Sequence, residues 1–174
     1  MGAKWLYIEE AFPAEAALMV VLEDVTLINA PIERCFDLSR SIDLHLESTA
    51  RTGEQAVAGV TSGLIGMGEQ VTWRAKHFGV WQEFTSRITA FERPHYFRDE
   101  MVRGAFRSFE HDHYFAAMPD GATKMRDVLR FAAPIPVLGR IAEPFLRVYL
   151  RRFLRERNEV LKKFAESEDW RRLL

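Results

Sequence analysis

The sequence predicts an α+β domain in which a curved antiparallel sheet of about seven strands wraps a long C-terminal helix. Three observations predict it. Between residues 52 and 132 apolar residues recur mainly at a period of two, broken at short intervals by Gly, Pro and Asp. From 137 to 164 the period changes to three and four residues. Two short helical pieces follow directly on the first strand.

The elements follow in order. Residues 19–28 (MVVLEDVTLI) are β-rich and end at Asn29-Ala30-Pro31, a turn that opens a helix with Pro at its start. Residues 31–37 read as a short helix with Ile32 and Phe36 four apart on one face, and 41–46 as a second one. A weak strand at 52–57 leads to the glycine-punctuated segment SGLIGMG at 62–68. Strands follow at 69–78, turned at Gly79, and at 80–91, stopped by Glu92-Arg93-Pro94. Residues 96–103 and 105–118 pair around Gly104. Pro119-Asp120-Gly121-Ala122 is a hairpin signal, from which 123–132 returns. Joints this short make an antiparallel meander. In the helix at 137–164, Leu138, Ile141, Phe145, Val148, Tyr149, Leu154, Leu161 and Phe164 form the apolar stripe, with Pro144 a kink or a start.

A chain of 174 residues fits one domain. We assign 19–168 to it and read 1–18 as an N-terminal extension. A hydrophobic content of 48% and a charged content of 28% place the chain among globular proteins. A formal net charge of -1 gives no electrostatic case for nucleic acid. With 13 Phe, 4 Trp and 4 Tyr there is more ring surface than a small core needs, which points to an aromatic-lined interior. Cys35 is the only cysteine, so no internal disulfide forms; it reads as a small buried hydrophobe in a reducing, cytoplasmic setting. No stretch reaches the roughly 18 apolar residues of a membrane span. Residues 1–10 lack the pattern of a secretory signal. Arg147, Arg151, Arg152, Arg155 and Arg157 crowd one helical stretch and read as a solvated face moderated by Glu143, Glu156 and Glu159, in preference to a lipid or RNA contact. Gly63, Gly66 and Gly68 precede a strand and lack the following Lys of a phosphate loop.

The element order, with several local motifs, resembles the START-like superfamily, and within it the bacterial SRPBCC ligand-binding proteins. The motifs are Ala30-Pro31-Ile32-Glu33 with Phe36-Asp37; Gly68-Glu69 with Val71-Thr72-Trp73 and Ala75-Lys76-His77-Phe78-Gly79; Ile88-Thr89-Ala90-Phe91 with Pro94, Phe97 and Asp99-Glu100; and Gly104-Ala105-Phe106, Phe109, His111-Asp112-His113 and Met125-Arg126-Asp127. The resemblance spans residues 20–166. It implies the helix-grip fold and a hydrophobic ligand between sheet and helix. It does not choose among carriers, polyketide cyclase/dehydrase-like enzymes, hydroxylase domains and stress-protein activators, since fold does not imply function.

Strand parity supplies candidate site residues. Phe109, His111, His113 and Phe115 share a face, as do Met125, Asp127, Leu129 and Phe131, and Phe97, Asp99 and Met101. If these faces point inward with Trp73 and His77, then Asp99, His111, His113 and Asp127 project into one interior. An isolated buried carboxylate is costly, so each Asp needs a partner, and a His supplies one. Three readings stay open: a polar network that fixes strand register, polar contacts that orient an apolar ligand, or a general acid/base on an enolisable or phenolic ligand. His111 and His113 also form a His-x-His pair that Asp99 or Asp127 could complete as a metal site. With no certain third His, no metal and no cofactor are expected.

The leading expectation is therefore a binding protein for a small hydrophobic, aromatic or lipid-like ligand, in a pocket on the order of 300 Å³ or more. Trp73, His77, Phe84, Phe97, Phe109, Met125, Leu129, Ile141 and Phe145 form its wall, and Asp99, His111, His113 and Asp127 orient the ligand. The alternative is a cyclase, dehydratase or isomerase using His111, His113, Asp127 or Asp99.

Overall fold

The computed structural model describes residues 19–77, 79–133 and 136–174, with side chains except those of 77 and 136–142. The extension expected at 1–18 lies outside the described residues. Seven strands, β1 (Val20–Ile28), β2 (Gln55–Gly59), β3 (Gln70–His77), β4 (Val80–Glu92), β5 (Tyr96–Arg103), β6 (Ser108–Ala117) and β7 (Thr123–Ala132), form one antiparallel sheet in the order β1-β7-β6-β5-β4-β3-β2. Two short helices, α1 (Ile32–Ser39) and α2 (Ile42–Ser48), follow β1, and the long helix α3 (Pro136–Glu166) follows β7. The α+β architecture expected from the sequence is the one observed.

Sequence-adjacent strands pair throughout the meander, and β1 closes the far side by pairing with β7 from Val20↔Phe131 to Ile28↔Thr123. Its alternation buries Val20, Leu22 and Ile28 and leaves Val21, Val25 and Leu27 outside. Register shifts in the β4–β5 pair, at Thr85/Ser86 and Ile88/Ala90, are the irregularities that bend a sheet into a grip. A further shift between Ala56 and Ala58 sits in β2. At its end, Gly59 (φ +77) approaches β3 so closely that a Cβ would lie 2.1 Å from the Gln70 carbonyl oxygen, which only glycine permits.

α1 starts after Pro31 and turns Ile32, Cys35 and Phe36 inward. Burial pushes the Cys35 thiol pKa up, as suits an inert core thiol. Ser41 caps α2 by accepting from the Leu44 N–H at 3.3 Å. Phe36 is the hub of one core cluster, edge-on to Phe91, Phe97 and Phe115 at 5.3–5.5 Å between ring centroids. Trp170 and Leu173, in and just after the 3-10 turn Glu168–Arg172, pack on the same cluster. A second cluster gathers Val20, Leu22, Leu129, Phe131 and Leu150.

Two expectations need correction. The strand expected from 105 begins at Ser108, because residues 104–107 bend away from the ladder before it starts. In the first half of α3 the inward stripe is Leu146, Tyr149, Leu150 and Phe153, while Phe145 and Val148 are 62% and 69% exposed. Each helical residue turns the face by about 100°, so a stripe set one residue off points outward. No described helix is long and apolar enough to cross a membrane.

Candidate functional site

Sheet register builds the polar cluster. In β5–β6, Asp99 stands opposite His111 and Phe97 opposite His113; in β6–β7, His113 stands opposite Asp127 and His111 opposite Leu129. The alternation of each strand turns all four polar groups to the concave face, as strand parity predicts. His113 lies between two carboxylates, with Nδ1 2.7 Å from Asp127 Oδ1 and Nε2 3.1 Å from Asp99 Oδ2. Its ring stacks on Phe97 at 4.1 Å. His111 tilts against His113 at 3.8 Å, with Nε2 3.0 Å from Asp127 Oδ1 and Nδ1 3.9 Å from Asp99 Oδ2.

The charges follow from these distances. Burial opposes a charge on His113, but Asp127 and Asp99 outweigh it and raise the His113 pKa. Burial lowers the His111 pKa, and the charge on neighbouring His113 lowers it further. Burial alone would raise Asp127; the two imidazoles hold it well below the ordinary carboxylate range. Asp99 is lowered the same way, by the His113 hydrogen bond and the field of both rings against burial. The directions favour a proton on His113 over one on His111 and keep both carboxylates charged.

α3 completes it from above. Asn158 donates to Asp127 Oδ2 at 2.9 Å and to Asp24 Oδ2 at 3.2 Å. Arg157 brings Nη1 within 3.8 Å of Asp127 Oδ1 and donates through Nη2 to the Ser39 carbonyl at 2.9 Å. This corrects the reading of Arg157 as part of a solvated stripe: its side chain is only 11% exposed, because it lies on the inward side between Leu154 and Leu161. Arg152 and Arg155 do face outward.

Beside the cluster is a cavity of about 200 Å³ between sheet and α3, lined from both core clusters. It is smaller than the sequence led us to expect, and the Phe36 aromatic cluster occupies part of the interior between sheet and helices. Of the expected wall, Trp73, Phe84, Phe97, Phe109 and Leu129 line it, as do Asp99, His111 and His113. Asp127 lies behind the imidazoles, fully buried, and meets the cavity only through them. Two wall assignments are corrected. Met125 is sealed in the core, its sulfur 3.7 Å from the Ser39 hydroxyl, and Phe145 is on the outer side of α3. The side chains of His77 and Ile141 lie outside the described ones.

Sequence reasoning missed several lining residues. His45 stacks on Trp73 at 4.1 Å, with Nε2 3.5 Å from Glu54 Oε1, so one face of Trp73 carries an imidazole. Leu150, Phe153, Leu154 and Arg157 supply the α3 wall. The outer face has its own cluster. Buried Asp112 accepts from Tyr96 (2.6 Å), Arg98 (2.7 Å) and Arg130, which outweigh burial and take its pKa down to about 2. Among the described residues, Asp99, His111 and His113 form a set whose donor atoms lie within 4.8 Å of one another, close enough to hold a metal ion.

No family model and no curated protein matches the chain. Solved structures do match. A protein from Thermus thermophilus is 16% identical (TM-score 0.68), covering 84% of this chain and 97% of its own. An aromatase/cyclase from Streptomyces sp. R1128 is 13% identical (TM-score 0.68), covering 85% and 94%. A START superfamily protein from Mycobacterium smegmatis is 12% identical (TM-score 0.64), covering 84% and 97%. At these identities the likeness is one of fold: the chain has the START-like, helix-grip fold.

Proposed function

We propose that the chain binds a small, mainly apolar, ring-bearing molecule between the sheet and α3, with Asp99, His111 and His113 orienting its polar atoms. The observation that carries this reading is the cavity itself. Aromatic and aliphatic walls from Trp73, Phe84, Phe97, Phe109 and Leu129 meet the polar groups Asp99, His111 and His113, with Arg157 and His45 also in the lining, a mainly apolar wall with polar groups to orient a ligand. A volume of about 200 Å³ limits the occupant to a small molecule. The fold is shared with an aromatase/cyclase, which supports the same ligand class. Native mass spectrometry of protein purified from its host tests it, with a small molecule expected to co-purify and to be released on unfolding. Leu150→Trp, which fills the cavity from α3, should abolish that binding; retention at wild-type affinity would refute the reading.

A second reading, an enzyme of cyclase, dehydratase or isomerase type, is favoured by two imidazoles 3.8 Å apart at the cavity that share Asp127 Oδ1. Two adjacent imidazoles facing the cavity have pKa values driven in opposite directions, His113 upward and His111 downward. Such a split supplies an acid and a base side by side. Deuterium uptake at an acidic C–H of the co-purifying molecule, fast with wild type and lost in His111→Gln, tests it. Equal uptake with and without protein would leave binding alone.

A further inference from the structure

We propose that Asp99, His111 and His113 form a mononuclear site for a divalent first-row transition ion of the zinc or cobalt kind, with its remaining coordination position open to the cavity. The donor atoms converge. Asp99 Oδ2 lies 3.1 Å from His113 Nε2 and 3.9 Å from His111 Nδ1, and all three donors fall within 4.8 Å of one another. Ligands bonded at about 2.0–2.2 Å to a tetrahedral ion stand roughly 3.3–3.6 Å apart. The observed distances bracket that spacing.

The groups behind the donors are those a metal site requires. Metal-bound imidazoles turn the other ring nitrogen toward a carboxylate, which fixes ring orientation and raises basicity. Here one oxygen, Asp127 Oδ1, faces the far nitrogen of both rings, at 2.7 Å from His113 and 3.0 Å from His111. Asn158 holds the other oxygen of Asp127. Asp127 is sealed behind the rings, whereas Asp99, His111 and His113 line the cavity, so one carboxylate is placed to ligate and the other to orient. Two imidazoles and a carboxylate favour zinc, cobalt or nickel over calcium or magnesium, which take oxygen cages. With Arg157 offsetting Asp127, an ion held by Asp99 and two neutral imidazoles keeps a net positive charge, which selects an anionic oxygen such as an enolate, phenolate or carboxylate for the open position.

The site stands on the cluster and does not rest on the ligand reading. The full chain, stripped with a chelator, is titrated with Co²⁺ alone, followed by visible absorption, and with Zn²⁺ alone by calorimetry. We expect about one ion per chain at a Kd of roughly 1 µM or below, intense four- or five-coordinate cobalt bands, and proton release on binding. Asp99→Asn should remove the bands and weaken binding at least tenfold. Asp127→Asn should weaken it by about 10–100-fold while keeping the bands. His45→Gln, at the other cavity imidazole, and Leu150→Trp should leave ion binding unchanged, so loss of ligand and loss of ion are separable. Circular dichroism confirms that each variant is folded. Wild type that binds neither ion below about 100 µM, Asp99→Asn binding like wild type, or loss that follows His45→Gln, overturns the site.

Discussion

Replacing Asp127 by Asn removes one charge and almost no volume from the centre of the buried cluster. In the folded chain that carboxylate faces the His113 imidazolium at 2.7 Å and Arg157 at 3.8 Å. At an effective dielectric of about 20 these attractions amount to roughly 6 and 4 kcal/mol before desolvation is counted. Most of that is offset, because burying the carboxylate costs several kcal/mol that an amide avoids. What remains is the cost of leaving the charged form of His113 with Asp99 alone and the Arg157 guanidinium with the Ser39 carbonyl, at most the roughly 3–5 kcal/mol of a broken buried pair. We expect a loss of about 3 kcal/mol for the metal-free protein, read as a lower urea midpoint at unchanged slope. The effect has a pH window. The lowered pKa of Asp127 gives stability that is full above the ordinary carboxylate pKa near 4 and fades as pH falls. The raised pKa of His113 gives stability that is full below the ordinary imidazole value near 6.5 and fades as pH rises through its folded value. Wild type and variant should therefore differ most between about pH 4 and 6.5. A loss below about 1 kcal/mol across that window, with the His113 titration unchanged by NMR, would refute the coupling of these charges.

Asp112→Asn should cost ~1–2 kcal/mol at pH 7 by chemical denaturation, discounted for the partly exposed Arg98 and Arg130. Because its folded pKa is about 2, that difference should persist above about pH 4 and vanish as pH falls towards 2. Gly59→Ala places a Cβ against the Gln70 carbonyl at a positive φ; a melting-temperature drop equivalent to more than ~1 kcal/mol is expected, and none would mean β2 shifts freely. Phe36→Ala, at the hub of the aromatic cluster, should cost about 3–5 kcal/mol in equilibrium unfolding. NMR titration should place the His113 transition above that of His111; the reverse order would contradict the geometry around Asp127.

The half of the site carried by strands is legible in the sequence because period two is unambiguous once turns fix where strands begin. His111 and His113 share a face whatever the partner strand, and Asp127 and Asp99 follow from the short joints that set neighbours. The half carried by α3 is less legible, since a helix densely packed with arginines has several plausible phases. Counting four residues from Leu154 and back from Leu161 gives 158 and 157, a signal that places Asn158 and Arg157 inward. Phe145 and Val148 mislead because apolar character does not guarantee burial, and singly exposed apolar residues are ordinary. No sequence signal identifies His45 as the ring on Trp73, because that contact joins α2 to β3 through tertiary packing alone.

The route by which α3 reaches the sheet has a kinetic consequence. Strands β2 to β7 pair with sequence neighbours, whereas β1 pairs with β7, about a hundred residues away, so its closure carries the larger loop-entropy cost. Without α3 docked, Asp127 would lack Asn158 and Arg157, and burying its charge would be costlier. We expect helix docking to come late in folding and to exclude water from the chamber. Truncating Arg157 should then hasten unfolding far more than it slows folding, and a chevron whose folding limb carried most of the change would place docking earlier.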